Sequence, residues 1–240
     1  MIDLVLDGPG KNALSSTLMR ELLAKLEAAA GAPVLLTGAG DALSAGLNLV
    51  EIAGFDVAGM RDYLELLERT IRALYLYPGP LVAFVNGHAI AGGCIFTLCC
   101  DHRVCSPEAG SKIGLTEVAL GLRFPRSVLQ LVRRRVAPEH LDEVVLGAGL
   151  HDPQGALRLG IVDELGDLAL ARTRLAALAQ HPADTYAATK ADLRAGVLVE
   201  DAAQARAFLE EALPTWTSPA LRERLLGFLK QRSRRDQARA

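Results

Sequence analysis

The chain has 240 residues, half of them hydrophobic, and its 26 basic and 28 acidic side chains give a formal net charge of −2. This length allows one large core in a single domain, and the charge gives no reason to expect nucleic acid or an anionic membrane as a partner. The first residues do not form a signal peptide, and no apolar run reaches the length of a membrane span. We therefore expect a cytoplasmic protein.

The N-terminal third of the chain alternates strand and helix patterns. Residues 2–6 alternate as a strand does, and Ser15 or Ser16 can cap a helix that runs to about Ala30. Residues 34–37 form a second apolar strand. Residues 58–77 predict a long amphipathic helix, and its apolar stripe comprises Leu64, Leu67, Ile71 and Leu74.

The middle of the chain predicts a strand at 81–85, a turn at Asn86-Gly87, a buried helix at 94–100 and a strand at 102–105. Beyond it, helical patterns alternate with one more strand. They comprise helices at 138–146, 153–159, 168–180, 182–195 and 219–232, and a strand at 161–165. Alternation of strands and helices favours an α/β architecture.

Four cysteines lie close together, at Cys94, Cys99, Cys100 and Cys105. Their spacing is not that of zinc ligands, and they have no His or Cys partners at the required intervals. A buried cysteine behaves as a small hydrophobic residue. The cluster therefore predicts core thiols in a reducing compartment rather than a metal site.

Two glycine-bearing loops follow apolar strands, one at Gly46 and one at Gly92-Gly93. Gly92-Gly93 precedes the buried helix, where unpaired N–H groups and the helix dipole favour an anion. For a lone Gly-Gly pair, close packing of helix and strand is the more probable explanation. With the second loop, each could supply one N–H group to a single oxyanion.

A carboxylate, Glu117, lies within an otherwise apolar segment, residues 113–122. Burial would raise its pKa into the range that suits a general base. On composition alone, a glutamate on a helix surface or at a helix cap is the more common alternative.

The segments LSAGLNLVEI (43–52) and NGHAIAGGCIFTLCCDHRV (86–104) resemble the paired signature of the crotonase superfamily, the enoyl-CoA hydratase/isomerase family. The resemblance implies a spiral of ββα units followed by a helical C-terminal region. It also implies a coenzyme A thioester as substrate, without a permanently bound cofactor. By position, the N–H groups of Leu47 and Gly92 would form the oxyanion hole for its enolate.

The segment IGLTE (113–117) matches the family position of a catalytic glutamate, Glu117. The family's hydratases carry a second glutamate just after the Gly-Gly-Cys sequence, where this chain has Ile95. The motifs look most similar to the 3,2-trans-enoyl-CoA isomerases of the mitochondrial type, which also lack that glutamate. The resemblance therefore implies isomerisation with one glutamate as proton shuttle.

Further expectations follow from the resemblance. The backbone near Ala13 and Ala45, the side chain of Lys11, and Phe228 and Lys230 of the last helix are candidates for contacts with coenzyme A, although a solvated surface lysine is the more common role for Lys11. Residues 1–195 would form the spiral core. Residues 196–240 would form a region that covers the acyl pocket within a homotrimer or a dimer of trimers.

Some residues depart from the family pattern or allow other functions. Arg123 and Arg126 stand where similar isomerases have apolar residues in the acyl pocket, which leaves hydration, decarboxylation or thioester hydrolysis as alternatives. The arginines at 133–135 are more typical of a solvated helix face than of a phosphate site. Together with the arginine-rich C-terminus they leave open a non-catalytic member that binds acyl-CoA or RNA, although stacking aromatic residues are scarce.

Overall fold

The structure, a computed structural model, describes residues 1–108, 110–198 and 202–237, without the side chains of residues 202, 205, 228 and 230–237. The strands are Ile2–Leu6 (β1), Val34–Gly38 (β2), Ala42–Ser44 (β3), Leu81–Val85 (β4), His88–Ile90 (β5), His102–Cys105 (β6), Ile113–Gly114 (β7) and Glu164–Leu165 (β8). The helices are Pro9–Asn12 (α1), Ser16–Ala29 (α2), Leu49–Gly54 (α3), Val57–Tyr75 (α4), Gly92–Cys99 (α5), Arg126–Arg135 (α6), Leu141–Val145 (α7), Pro153–Arg158 (α8), Leu168–Leu178 (α9), Ala183–Arg194 (α10), Ala202–Trp216 (α11) and Pro219–Gln237 (α12).

The strands form two parallel sheets. The larger sheet has the order β1-β2-β4-β6-β8, and the smaller one has the order β3-β5-β7. Each pass along the chain adds one strand to the larger sheet, one to the smaller sheet and then a helix, as in β2-β3-α3, β4-β5-α5 and β6-β7-α6. The predicted α/β spiral of ββα units with a helical C-terminal region is confirmed by this element order and sheet topology.

Local sequence signals explain where the two long N-terminal helices begin. Ser15 caps α2 by accepting a hydrogen bond from the Leu18 N–H group at 3.1 Å. Asp56 caps α4 by accepting from the Gly59 N–H group at 2.8 Å. Helix α2 therefore begins directly after one of its two predicted caps, and α4 begins one residue before its predicted start at residue 58.

Two hydrophobic layers bury the larger sheet on both faces, as expected for parallel strands. The main core lies between the sheets and the helices α2, α4 and α5. A smaller cluster joins Leu35, Val82 and Val104 of the sheet to Ala171 and Leu175 of α9. Helices α11 and α12 contribute Trp216 and Leu225 to the main core, so they pack onto the spiral.

The C-terminal end of α5 is held by an ionic cluster. Asp101 accepts hydrogen bonds from Lys190 at 2.8 Å and from Arg194 at 2.5 Å, and all three side chains are almost fully buried. Arg194 also donates to the Cys99 carbonyl oxygen at 3.2 Å. Arg135 donates to the Leu98 carbonyl oxygen at 3.0 Å. Cations are favourable at a helix C-terminus, so α6 and α10 fix the position of α5.

The finding for Arg135 corrects one expectation. Arg133 and Arg134 are exposed, as predicted for a solvated helix face. Arg135 is not, because its guanidinium group turns inward to carbonyl groups at the end of α5, and burial lowers its pKa. The run of three arginines gave no sign of this difference.

The described residues contain neither a membrane-spanning helix nor a cluster of metal ligands. No helix in the described ranges is long and apolar enough to cross a membrane. Among the same residues, no group of three or more His, Cys, Asp or Glu side chains could hold a metal ion. The four cysteines all lie in the described ranges, and all are free and buried.

Candidate active site

The first glycine loop, residues 45–48, connects β3 to α3. Gly46 has a φ of +85°, and a Cβ atom there would lie 2.6 Å from the Ile90 carbonyl oxygen. The Gly46 N–H group donates to Ser44 Oγ at 3.1 Å, and Ser44 Oγ donates to the Asn12 carbonyl oxygen at 2.7 Å. This position therefore needs glycine both for its backbone conformation and for its close approach to β5.

The backbone of Leu47 is oriented by its pairing with Leu14. The Leu14 N–H group donates to the Gly46 carbonyl oxygen at 2.8 Å, and the Asn48 N–H group donates to the Leu14 carbonyl oxygen at 3.4 Å. In a parallel bridge of this kind, the residue between the two bonded neighbours directs its own N–H group to the opposite side. The Leu47 N–H group therefore points away from Leu14.

The second glycine loop begins α5. Ala91 has the unusual dihedral angles φ 50° and ψ −118°, and no side chain in the described part of the chain caps this helix. A Cβ atom at Gly93 would lie 2.5 Å from the Ser44 carbonyl oxygen, and one at Gly92 would lie 3.4 Å from Leu47 Cδ2. Close packing thus accounts for Gly93, and the same contacts bring the N-terminus of α5 against the first loop.

Glu117 lies in a turn between β7 and α6. Its side chain is buried, with 7% of the residue exposed. One carboxylate oxygen, Oε2, is buried without a hydrogen-bond partner among the described residues. Burial raises the pKa of Glu117 from 4.5 to about 7, and hydrogen bonds from backbone N–H groups at 116 and 117 partly oppose this change. The alternative of a surface or capping glutamate is wrong.

One mostly apolar cavity joins these groups. It has a volume of about 50 Å³, and Leu47, Gly92 and Glu117 all contribute to its wall. The other lining residues come from α4, α5, α6, α11 and the segment before α6; they are Leu64, Leu67, Glu68, Ile71, Ile95, Arg123, Phe124, Pro125, Val128, Phe208, Leu209 and Trp216. The three residues that the sequence proposed for catalysis therefore face one space.

The residues expected to contact coenzyme A divide into two groups. The Ala45 N–H group donates to the Lys11 carbonyl oxygen at 2.9 Å, which places Lys11 and Ala13 beside the first glycine loop. The Lys11 side chain forms an ion pair with Asp41 and remains partly exposed. Phe228 and Lys230 belong to α12, but their side chains lie outside the described part of the chain.

The two arginines that depart from the family pattern do not fill the cavity. Arg126 is exposed and does not line it. Arg123 reaches its edge, but its side chain is 67% exposed and donates to Glu211 at 2.5 Å. Phe124 and Val128 supply the buried wall in this region instead. The interior of the cavity thus keeps the apolar character that these arginines had put in doubt.

Sequence analysis missed two polar residues of the cavity. Glu68 lies on α4, one position after Leu67 of the apolar stripe, so the helical period alone gives it no special place. Trp216 lines the cavity from the end of α11, and no local pattern in the sequence indicates this position. It is the only tryptophan in the chain. This single occurrence was the only feature of the sequence that could have drawn attention to it.

Comparison with known sequences identifies the family of this chain. The family described as enoyl-CoA hydratase/isomerase matches residues 1–234. The chain belongs to this family. Among its relatives, the mitochondrial enoyl-CoA delta isomerase 1 of Mus musculus is 33% identical over 51% of this chain and 42% of its own length. A putative enoyl-CoA hydratase of Thermus thermophilus is 33% identical over 74% of this chain and 72% of its own length.

Some relatives in this family are named isomerases and others are named hydratases. The crotonyl-CoA hydratase of Syntrophomonas wolfei is 28% identical over 64% of this chain and 60% of its own length. The matched segments thus span less than two thirds of the mouse and Syntrophomonas proteins. The structure of human mitochondrial delta3-delta2-enoyl-CoA isomerase superposes with a TM-score of 0.88 at 26% identity, over 97% of this chain and 95% of that one.

Proposed function

We propose that this member of the enoyl-CoA hydratase/isomerase family is a 3,2-enoyl-CoA isomerase that moves the double bond of a 3-enoyl-CoA to the 2-trans position. The observation that carries the proposal is Glu117, a buried carboxyl group with an unpaired oxygen in the wall of an apolar cavity. Ile95, which lines the same cavity, cannot take or give a proton. A reaction that needs one carboxylate therefore fits this site better than one that divides its work between two glutamates at these positions.

The reaction requires one proton to leave C2 of the thioester and one to arrive at C4. In our proposal Glu117 removes the C2 proton, the electron pair delocalises to the thioester oxygen as a dienolate, and the protonated Glu117 returns the proton to C4. The pKa of about 7 suits both steps, because the group can accept and release a proton near neutral pH.

The dienolate oxygen would be held by the N–H groups of Leu47 and Gly92. Two observations support this role. A Cβ atom at Gly92 would lie 3.4 Å from the Leu47 side chain, so the two residues are close, and the Leu47 N–H group points away from Leu14. Each well-placed donor contributes on the order of 3 kcal/mol of transition-state stabilisation. A structure with a bound thioester should have both nitrogen atoms within hydrogen-bond distance of the thioester oxygen, and amides that point apart in that complex would refute the assignment.

The remaining parts of the proposal concern coenzyme A and assembly. Lys11 and the backbone at Ala13 and Ala45 lie beside the first glycine loop, so they are proposed to contact coenzyme A there. Phe228 and Lys230 are proposed to contact it from α12. We further propose a homotrimer or a dimer of trimers.

Hydration of a 2-enoyl-CoA is the second candidate, and Glu68 is the observation that favours it. Glu68 lines the cavity together with Glu117, so two carboxylic side chains are present although neither is at the position of Ile95. Relatives with comparable identity are also named as hydratases.

The deciding experiment incubates the protein with matched 2-enoyl and 3-enoyl thioesters of coenzyme A in deuterated water, followed by mass spectrometry. An isomerase converts the 3-enoyl substrate to the 2-trans product without adding water, and deuterium appears where the shuttle exchanges with solvent. A hydratase adds the mass of one water to the 2-enoyl substrate. Rapid hydration with no conversion of the 3-enoyl thioester would refute the isomerase proposal.

A further inference from the structure

The Trp216 side chain is buried, and its indole N–H group donates no hydrogen bond to the described residues. Trp216 is 7% exposed. It lines the cavity from the end of α11, and Glu117 lines the same cavity. The Nε1 atom is buried and has no hydrogen-bond partner anywhere in the described residues.

Two buried tyrosines of this protein have hydrogen-bonded hydroxyl groups. Tyr63 donates from its hydroxyl group to the Leu14 carbonyl oxygen at 2.6 Å, and Tyr77 donates to the Ala32 carbonyl oxygen at 2.6 Å. A buried donor without an acceptor is unfavourable, because it has lost water and gained nothing. Four buried side-chain atoms lack a partner among the described residues, and they are Glu117 Oε2, Ser127 Oγ, His151 Nε2 and Trp216 Nε1. Of these residues, Glu117 and Trp216 line the cavity, where a ligand can supply an acceptor for the indole N–H group.

The charges around the cavity restrict the kind of acceptor. Glu68 and Glu117 both line it, so an anionic group on the ligand would meet two carboxylic side chains. Arg123 lies at the edge and forms an ion pair with Glu211. A neutral oxygen can accept the indole N–H hydrogen bond without this repulsion, and a purely hydrocarbon chain cannot accept it at all.

We propose that Trp216 is a specificity-determining residue that donates its Nε1–H hydrogen bond to a neutral oxygen, a hydroxyl or carbonyl group, on the acyl chain of the thioester. The inference rests on the proposed function in one respect, that the ligand of the cavity is an acyl-CoA. The cavity has a volume of about 50 Å³ in this structure, so the test uses short acyl chains.

The test compares the parent protein with Trp216→Phe, which keeps an aromatic ring but removes the N–H group. Each is assayed with a short 3-enoyl-CoA and with its counterpart that carries a hydroxyl group on the terminal carbon. We expect Trp216→Phe to lower kcat/KM for the hydroxylated substrate by about tenfold, the order of one neutral hydrogen bond. Because the smaller ring also alters the cavity for the plain substrate, the quantity compared is the ratio of the two kcat/KM values, which should fall about tenfold in Trp216→Phe. Equal changes for the two substrates would overturn the proposal.

Binding of the corresponding saturated thioesters separates this inference from the proposed function. Calorimetry on the parent and on Trp216→Phe should show the same selective loss of affinity for the hydroxylated ligand, even if no substrate is turned over. Turnover of the plain substrate without selective loss would leave the isomerase standing and remove the role of Trp216. If the variant fails to fold, the fluorescence of the single tryptophan in the parent decides. The hydroxylated ligand should shift its emission relative to the plain ligand, and identical spectra would refute the hydrogen bond.

Discussion

Replacement of Glu117 by glutamine tests the proposed chemistry most directly. The substitution keeps the shape of the side chain and removes the group that takes the proton. Activity on a 3-enoyl-CoA should fall by ~10² to 10⁴, the usual contribution of general acid–base catalysis. Binding of the thioester should change little, because the proposed contacts with coenzyme A lie at residues 11–13 and 45, on the other loops.

The same variant should be more stable than the parent at neutral and alkaline pH. Because burial raises the pKa of Glu117 from 4.5 to about 7, the folded protein holds this proton more tightly than the unfolded chain does. The free energy of unfolding therefore decreases as pH rises from 4.5 to about 7 and stays lower above that range. At 1.36 kcal/mol per pH unit, the difference is on the order of 3 kcal/mol.

Urea denaturation of the parent and Glu117→Gln at about pH 4 and about pH 8 measures this difference. The two proteins should have similar free energies of unfolding at the lower pH, and the variant should exceed the parent by on the order of 3 kcal/mol at the higher pH. Glu21→Gln, at an exposed position of α2, is the matched control and should change neither activity nor stability. If Glu117→Gln were as active as the parent, or no more stable at the higher pH, the description of Glu117 as a buried general base would be wrong.

Four further predictions follow from the geometry. The kcat/KM of the parent should rise about tenfold per pH unit below the pKa of Glu117 and level off above about 7, because the base must be ionised; a flat pH–rate profile contradicts this. Gly46→Ala should lower the free energy of unfolding by about 1–3 kcal/mol through backbone strain. It should also impair catalysis, because the new Cβ atom would meet the Ile90 carbonyl oxygen, whereas the control Gly40→Ala meets no neighbouring atom and should not. Asp101→Asn should lower the free energy of unfolding by about 3–5 kcal/mol, because it leaves two buried cations without their carboxylate, and a loss below about 1 kcal/mol in urea denaturation would argue against a tight cluster. Light scattering should give the mass of a trimer or hexamer, and a monomer at micromolar concentration would refute the proposed assembly.

Most strands of the larger sheet could be predicted from the sequence, but the strands of the smaller sheet could not. Strands β1, β2 and β4 are continuous or alternating apolar runs of up to five residues, which is enough to give a periodic signal, and β6 ends in the apolar pair Val104-Cys105. Strands β3, β5 and β7 have only two or three residues each. They exist because successive turns of the spiral place them side by side, and this is a tertiary effect that no local window contains.

The candidate site shows the same division. The apolar neighbours of Glu117 left a surface glutamate as the more common alternative, and the family resemblance was needed to favour a catalytic position. The two glycine loops could be predicted from their positions after strands. The position of Trp216 could not, because the side chain comes from a helix about a hundred residues later in the sequence than Glu117. The inward turn of Arg135 likewise depends on free carbonyl groups at the end of another helix.

The buried cysteines offer a direct way to follow the motions of α5. Burial raises the pKa of the Cys94 and Cys99 thiols, and both side chains are fully inaccessible to solvent. An alkylating reagent attacks only an exposed thiolate, so it can label these positions only during transient opening of the helix. The labelling rate in the native protein therefore reports the local opening free energy of the helix that carries Gly92. The parent sequence already contains these two thiols. Slower labelling in the presence of an acyl-CoA would measure how much ligand binding suppresses the local opening of that helix.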